Sequence, residues 1–288
     1  EKDGRKLVQH EVGVNADLTL NDIPGGSSQM QRVRNFVRSA ADTDASILIR
    51  GEVGTGKNVL ANAIHNSSRR RNGPFIIFSC SSIPNELTIN ELLGYDENFD
   101  PTRLRSQPSK FELAQGGSIF FQNVDALPLE AQSVLLNVLE LGFVQRLGSQ
   151  RPINVDVKVI ASTSAQIETL LAKGSFHPSL YYRLSTFATT IPPLRERNRD
   201  IPLIVDRILQ RLSRQLGHSL TLGQGVLELL KRYPWPGNVS EIESFLGRAA
   251  TQMNTNGAIE LAHLPSALRY VNNILPSEQT TPPIQSLI

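Results

Sequence analysis

Two periodicities alternate along the first two-thirds of the chain. From Met30, apolar residues recur at Val33, Phe36 and Val37, a three- and four-residue step that predicts an amphipathic helix. Residues 46–50, Ser-Ile-Leu-Ile-Arg, form a short apolar run ending in a Gly-rich turn, which predicts a buried strand followed by a helix over 57–67. Further strands are predicted at 75–79 (Phe-Ile-Ile-Phe-Ser), 118–122 (Ser-Ile-Phe-Phe-Gln) and 155–161 (Val-Asp-Val-Lys-Val-Ile-Ala). Helices are predicted at 84–93 and 129–141, the second because Ala131, Val134, Leu135, Val138 and Leu139 share one face. Strands alternating with helices imply a parallel sheet covered on both faces, the α/β class.

After Ile191-Pro-Pro-Leu194 only helical patterns remain, at 202–216, 225–233 and 239–252. Asn238 reads as the cap of the last helix, with Glu241 three residues on. A small all-helical second domain is therefore expected. Residues 1–22 are polar and read as a linker or the end of an upstream domain, and the Pro/Thr-rich stretch within 273–288 reads as a second linker.

Composition narrows the classes. A chain of 288 residues accommodates two domains, and 40% hydrophobic with 19% charged residues excludes disorder and fibrous repeats. No segment approaches the roughly 20 apolar residues of a membrane helix, so no membrane partner is expected. The net charge of +2 gives no strong field for capturing nucleic acid. A single cysteine, Cys80, excludes an internal disulfide or a cysteine zinc cluster and fits a reducing cytoplasm. It reads as a small buried hydrophobe. The five histidines, His10, His65, His177, His218 and His263, have no metal-site spacing, and no metal ligands are assigned. Trp235, between two prolines, reads as the anchor of the last helix. The chain begins at Glu1 without a signal peptide, so a segment of a longer protein is expected.

The chemistry concentrates after the first strand. Gly51-Glu-Val-Gly-Thr-Gly-Lys57 matches the Gly-x4-Gly-Lys part of a phosphate-binding loop, placed between a strand and a helix as that loop requires. Glycines let successive backbone N–H groups turn toward a phosphate, the helix N-terminus adds partial positive charge, and Lys57 supplies a full one. Gly51, Glu52, Val53, Gly54, Thr55, Gly56, Lys57 and Asn58 are thus the expected ATP or ADP site. Asn58 stands where Ser or Thr is usual, which weakens one contact to Mg²⁺. At the end of strand 118–122, where such enzymes carry acids for metal and water, the sequence reads Gln122-Asn123. An amide neither holds Mg²⁺ nor accepts a proton well, so weakened Mg²⁺ binding and impaired hydrolysis are expected. Asp125 and Glu130 nearby read as solvated loop charges.

These segments together resemble the AAA+ central domain of bacterial enhancer-binding activators that work with sigma-54. The matching pieces are the loop above, Glu91-Leu-Leu-Gly94, Phe111-Glu-Leu-Ala-Gln-Gly-Gly117, Tyr181-Tyr-Arg-Leu184, Pro192-Pro-Leu-Arg-Glu-Arg197 and Trp235-Pro-Gly-Asn-Val239, in family order over about residues 24–270. The resemblance implies an α/β nucleotide-binding domain over 23–194, a helical lid over 195–272, and a homo-oligomer with ATP between neighbours. Residues 273–288 would then lead to a DNA-binding helix-turn-helix domain, and residues 1–22 would follow an upstream sensor.

Departures from the family pattern modify what the resemblance implies. The GAFTGA loop that touches the sigma factor is replaced, at conserved length, by Asn98-Phe-Asp-Pro-Thr-Arg103. Of two arginines reaching a neighbour's ATP, the first position is His177 and the second matches Arg183. The sensor position is Ser164 and the lid arginine position is Ser240. The chain is accordingly similar to atypical members acting with the housekeeping polymerase, such as the dihydroxyacetone-operon type. The expected function is an ATP-binding module that controls promoter-bound RNA polymerase holoenzyme by nucleotide-dependent assembly, with weak or no hydrolysis and not through sigma-54. The alternatives are an active ATPase motor using Asp125 or Glu130, and an effector-sensing scaffold. Arg69-Arg-Arg-Asn-Gly-Pro74 resembles a cyclic di-GMP-binding segment of a flagellar regulator, although it reads more simply as an exposed basic turn.

Overall fold

A computed structural model describes residues 18–97, 99, 106–253, 257–265 and 268. Contacts divide the chain into two compact units, Glu1–Pro193 and Leu194–Ile288. The two expected linkers lie almost wholly outside the described residues, apart from a short 3₁₀ turn at Leu20–Asp22.

In the first unit the elements are α1 (Ser28–Ala41), β1 (Ile47–Arg50), α2 (Lys57–Ser67), β2 (Phe75–Ser79), α3 (Asn85–Leu93), α4 (Lys110–Leu113), β3 (Ser118–Gln122), α5 (Leu129–Leu141), β4 (Phe143–Gln145), β5 (Pro152–Asn154), β6 (Lys158–Thr163), α6 (Ile167–Ala172), α7 (Pro178–Leu184) and β7 (Phe187–Thr190). Five strands form one parallel sheet in the order β2-β3-β6-β1-β7. The period-two geometry of a strand sorts its side chains into two cores. Ile47, Ile49, Phe75, Phe120 and Ile160 face α1 and α2. Leu48, Ile76, Ile119, Phe121, Val159 and Ala161 pack on the opposite face with Leu135 of α5 and Phe111 of α4. Strands buried on both faces have continuous apolar runs, which is why β1, β2 and β3 are legible in the sequence at close to their observed bounds, while β6 is legible with a shifted start.

Two clamps tie helices to this sheet. Lys158, buried at the start of β6, donates from Nζ to Ala40 O (2.6 Å) and Thr43 O (2.7 Å), satisfying carbonyls at the C-terminal end of α1. His65 of α2 is also buried, with Nδ1 2.9 Å from Ser118 Oγ of β3. Gly117, which leads into β3, admits no side chain, since a Cβ there would stand 2.0 Å from Pro74 O.

The structure departs from the sequence reading at several places. The predicted strand 155–161 begins at Lys158 and runs on to Thr163, because Val155 and Asp156 bond to Gly142, Gly116 and Gln115 instead of a sheet neighbour. Edge strand β7 and the antiparallel β4–β5 hairpin were not predicted; their burial is partial and alternating. In the second unit, α8 (Ile201–Leu216), β8 (Leu220–Leu222), α9 (Val226–Arg232), α10 (Asn238–Thr251) and β9 (Gly257–Ile259) surround one core. The expected all-helical lid is corrected: β8 and β9 pair in parallel, Leu220 with Gly257 through Leu222 with Ile259. Asn238 is not the cap of α10. It is a buried first-turn residue whose Oδ1 accepts from Leu194 N–H (2.7 Å), while Glu241 Oε2 reaches back to Gly237 N–H (2.8 Å). Trp235 does anchor this unit, fully buried, donating to Leu230 O (2.7 Å) and packed against Tyr233 and Phe245.

Burial, with the Lys158 charge adding, holds the His65 imidazole down at about 4 from its ordinary 6.5. Between these values the unfolded chain takes up a proton that the folded chain refuses, so stability falls as pH drops from about 6.5 through 4. The loss is about 3 kcal/mol when complete. Urea denaturation at stepped pH should show this slope, and His65→Gln should flatten it; an unchanged slope would remove His65 as its source.

Candidate functional site

Parallel strands place all their C-terminal ends on one edge of the sheet, where α/β proteins bind ligands. The phosphate-loop residues lie there, immediately after β1. Gly51 N–H donates to Thr163 O of β6 (3.2 Å), and Ile191 N–H donates to Arg50 O (2.8 Å), so the loop starts from a strand held on both sides. Gly54 (φ 78°) and Gly56 (φ 105°) take left-handed backbone conformations that favour glycine, and they turn the chain into α2. The first N–H groups of that helix have no intrahelical acceptors and aim toward the loop. Lys57 is buried and donates from Nζ to Gly51 O (2.7 Å) and Glu52 O (2.9 Å), so its ammonium points into the loop. Burial pushes that ammonium below its ordinary value, while the Asp125 carboxylate opposes the shift.

Beside the loop, β3 delivers Gln122 and Asn123. Gln122 Nε2 donates to Asn58 Oδ1 on the first turn of α2 (3.2 Å). The two positions where the sequence lost a hydroxyl and an acid therefore bond to each other as amides. Asn123 has a left-handed backbone (φ 56°) and is held by Ser162 Oγ, which accepts its N–H at 3.4 Å, and by Ser81 Oγ, which accepts from Nδ2 at 3.2 Å. Ser81 and Ser162 follow or end the strands flanking β3, and no sequence spacing marked them. Asp125 corrects the sequence reading, because its Oδ1 is buried without a hydrogen-bond partner and its charge acts on Lys57. Glu130 is exposed, as expected.

Mg²⁺ does not fit this donor set. A phosphate-loop metal is held by a hydroxyl on the first helical turn and a carboxylate at the strand end. Here both ligand positions are neutral amides engaged with each other. Among the described residues, no group of three or more His, Cys, Asp and Glu is placed to hold a metal ion.

Arg183 lies elsewhere. Exposed on α7, it donates from Nη2 to Leu139 O (2.9 Å) and lines a cleft of about 320 Å³ with Asp44, Ala45 and Ser46, the residues leading into β1. The length of β1, roughly 15 Å with its flanks, separates that cleft from the loop. Two residues earlier on the same helix, Tyr181 hydrogen-bonds the Arg50 guanidinium, which also pairs with Glu168 (2.8 Å). His177 begins α7, its N–H donating to Gln132 Oε1 (2.8 Å). Ser164 and Ser240 are exposed. Arg70 is not part of a solvated basic turn: its side chain, 15% exposed, is clamped by Asp44 (2.9 Å) and Asp156 (2.6 Å). Cys80 is a buried free thiol pushed upward by burial, as its reading as a hydrophobe requires. Apart from Phe99, the loop at 98–103 lies outside the described residues.

Residues 23–190 match the sigma-54 interaction domain model, and residues 195–281 match the AAA+ ATPase lid domain. The chain belongs to the sigma-54 interaction domain family. It is 39% identical over 226 residues to the transcriptional regulator NtrC of Azospirillum brasilense, spanning 78% of this chain and 47% of the relative. It is 37% identical over 253 residues to a signal-transduction and transcriptional-control protein of Clostridium beijerinckii (87% and 40%). The chain thus spans under half the length of these curated relatives. Crystal structures of NtrX from Brucella abortus with ADP and with ATP each superpose at a TM-score of 0.80 and 27% identity, covering 96% and 98% of this chain and 59% and 60% of theirs. The fold is the AAA+ phosphate-loop fold, the family is one of transcription activators, and among the described residues no helix is long and apolar enough to cross a membrane.

The left-handed backbone at Asn123 yields a stability test. Asn123→Gly should leave chemical stability within about 0.5 kcal/mol, whereas Asn123→Val should cost roughly 1–2 kcal/mol from the left-handed conformation alone. Equal urea midpoints for the two variants would refute a backbone constraint there.

Proposed function

We propose that the chain binds ATP or ADP through Gly51 to Asn58 and uses the nucleotide to control its assembly with neighbouring copies, with little hydrolysis. The observation that carries this reading is the contrast within one site. The glycine turn, helix N-terminus and buried Lys57 provide what phosphate binding needs, while Gln122 and Asn123 provide no strand-end carboxylate for catalysis. The ATP- and ADP-bound forms of NtrX support nucleotide binding. Mg²⁺ contributes little at the amide pair. Arg183, at the far edge of the sheet from its own loop, is suited to reach the nucleotide of the next copy in an oligomer.

In the whole protein this module would act in the cytoplasm on promoter-bound RNA polymerase holoenzyme, by a route other than sigma-54 because of the replaced loop at 98–103. An upstream sensor would supply the signal and a helix-turn-helix domain would supply DNA binding. Cyclic di-GMP sensing is disfavoured by Arg70, whose guanidinium already serves Asp44 and Asp156.

Thermal melting with ATP, run beside a phosphate-release assay at high protein concentration, tests this reading. At a hundredfold excess over Kd, ATP should stabilise the fold by about 2.7 kcal/mol. Lys57→Ala should abolish that shift, and phosphate release should not exceed that of Lys57→Ala. A shift that survives Lys57→Ala would overturn the site assignment. One observation favours a second reading, an ATPase with a relocated acid: the buried, unpartnered Oδ1 of Asp125 beside Lys57. Steady release that disappears in Asp125→Asn would select it.

A further inference from the structure

The two positions that would ligate a divalent cation are amides bonded to each other. We infer that the chain takes its nucleotide without a divalent cation, the Asn58–Gln122 amide pair standing where the protein's metal ligands would be. This rests on nucleotide binding at Gly51 to Asn58 and adds how the phosphate charge is met.

Mg²⁺ requires near-octahedral oxygen ligation at roughly 2.0–2.1 Å and gives up its waters reluctantly. A protein competes for it with anionic oxygen at the strand end and a hydroxyl on the first helical turn. In this chain Asn58 Oδ1 already accepts a hydrogen bond from Gln122 Nε2 at 3.2 Å. The positive end of an N–H dipole therefore points at the oxygen a cation would need. Recruiting the pair would mean breaking that bond and rotating Gln122, for two neutral ligands that bring no charge.

The nearby carboxylate, Asp125, acts electrostatically on Lys57. Its Oδ1 is buried and unpartnered, and no group of metal-ligating side chains surrounds it among the described residues. Positive charge for the phosphates comes instead from Lys57, aimed into the loop, and from the N-terminus of α2. Both are fixed parts of the protein, present whether or not the nucleotide arrives with a cation.

Calorimetric titration of the 288-residue chain with ATP, once in excess Mg²⁺ and once in EDTA, tests the inference. The two dissociation constants should agree within about two-fold, and a loss of about tenfold or more in EDTA would overturn it. If that loss vanished in Asp125→Asn, Asp125 would be the metal ligand and the inference would again fail. Binding in neither buffer would instead defeat nucleotide binding itself. The double variant Asn58→Ser with Gln122→Asp should acquire metal dependence, binding about tenfold more tightly in Mg²⁺. A double variant as indifferent to Mg²⁺ as the parent would refute the amide pair as the cause.

Discussion

Strand β1 lies between β6 and β7, and the placement of the whole candidate site follows from that pairing. Its parallel register, Ile47 opposite Ile160 and Phe187 and Arg50 opposite Thr163 and Thr190, fixes the point at which the chain leaves the sheet for the phosphate loop. Apolar burial on both faces makes a slip costly. A shift of one residue would exchange Leu48 with Ile47 and Ile49 between two filled cores. The same register brings Arg50 beside Tyr181 and Glu168, so α6 and α7 are positioned from the strand that carries the loop. Arg183 sits on α7. The phosphate loop and the helix that carries Arg183 are thus both tied to one strand.

Within that frame the site combines retained and lost chemistry. Phosphate binding relies mainly on backbone geometry, which Gly54 and Gly56 secure, together with one lysine. Catalysis relies on ionised side chains, and those are missing from the strand end. Asn123 keeps a left-handed backbone and two serine partners, so the scaffold that would aim an acid persists around an amide. On the proposed reading, a site so arranged holds a nucleotide and reports its presence through assembly, while leaving its γ-phosphate largely uncleaved.

Much of this was legible in the sequence because the signals were local. β1, β2 and β3 are apolar on both faces, and the glycine loop has a spacing that few other structures require. What escaped was set by distant partners. β7 is a half-buried edge strand, recognisable only once β1 lies beside it. β8 and β9 are three-residue strands separated by two helices. Asn238 has the composition of a cap, yet its amide serves Leu194, 44 positions away in the sequence. Asp125 has the local setting of a solvated charge, and only the folded structure shows its Oδ1 buried and its charge acting on Lys57. The Asn58–Gln122 bond was likewise invisible, although each substitution was conspicuous by itself.

On the proposed reading, this loop holds a nucleoside triphosphate that the site does not readily cleave. A crystal structure of the chain grown with ATP tests it most directly. An intact triphosphate is expected, with Lys57 Nζ moved from the Gly51 and Glu52 carbonyls onto the phosphates, and Gln122 still bonded to Asn58. ADP in place of the added ATP, or a triphosphate bound away from Lys57, would contradict it.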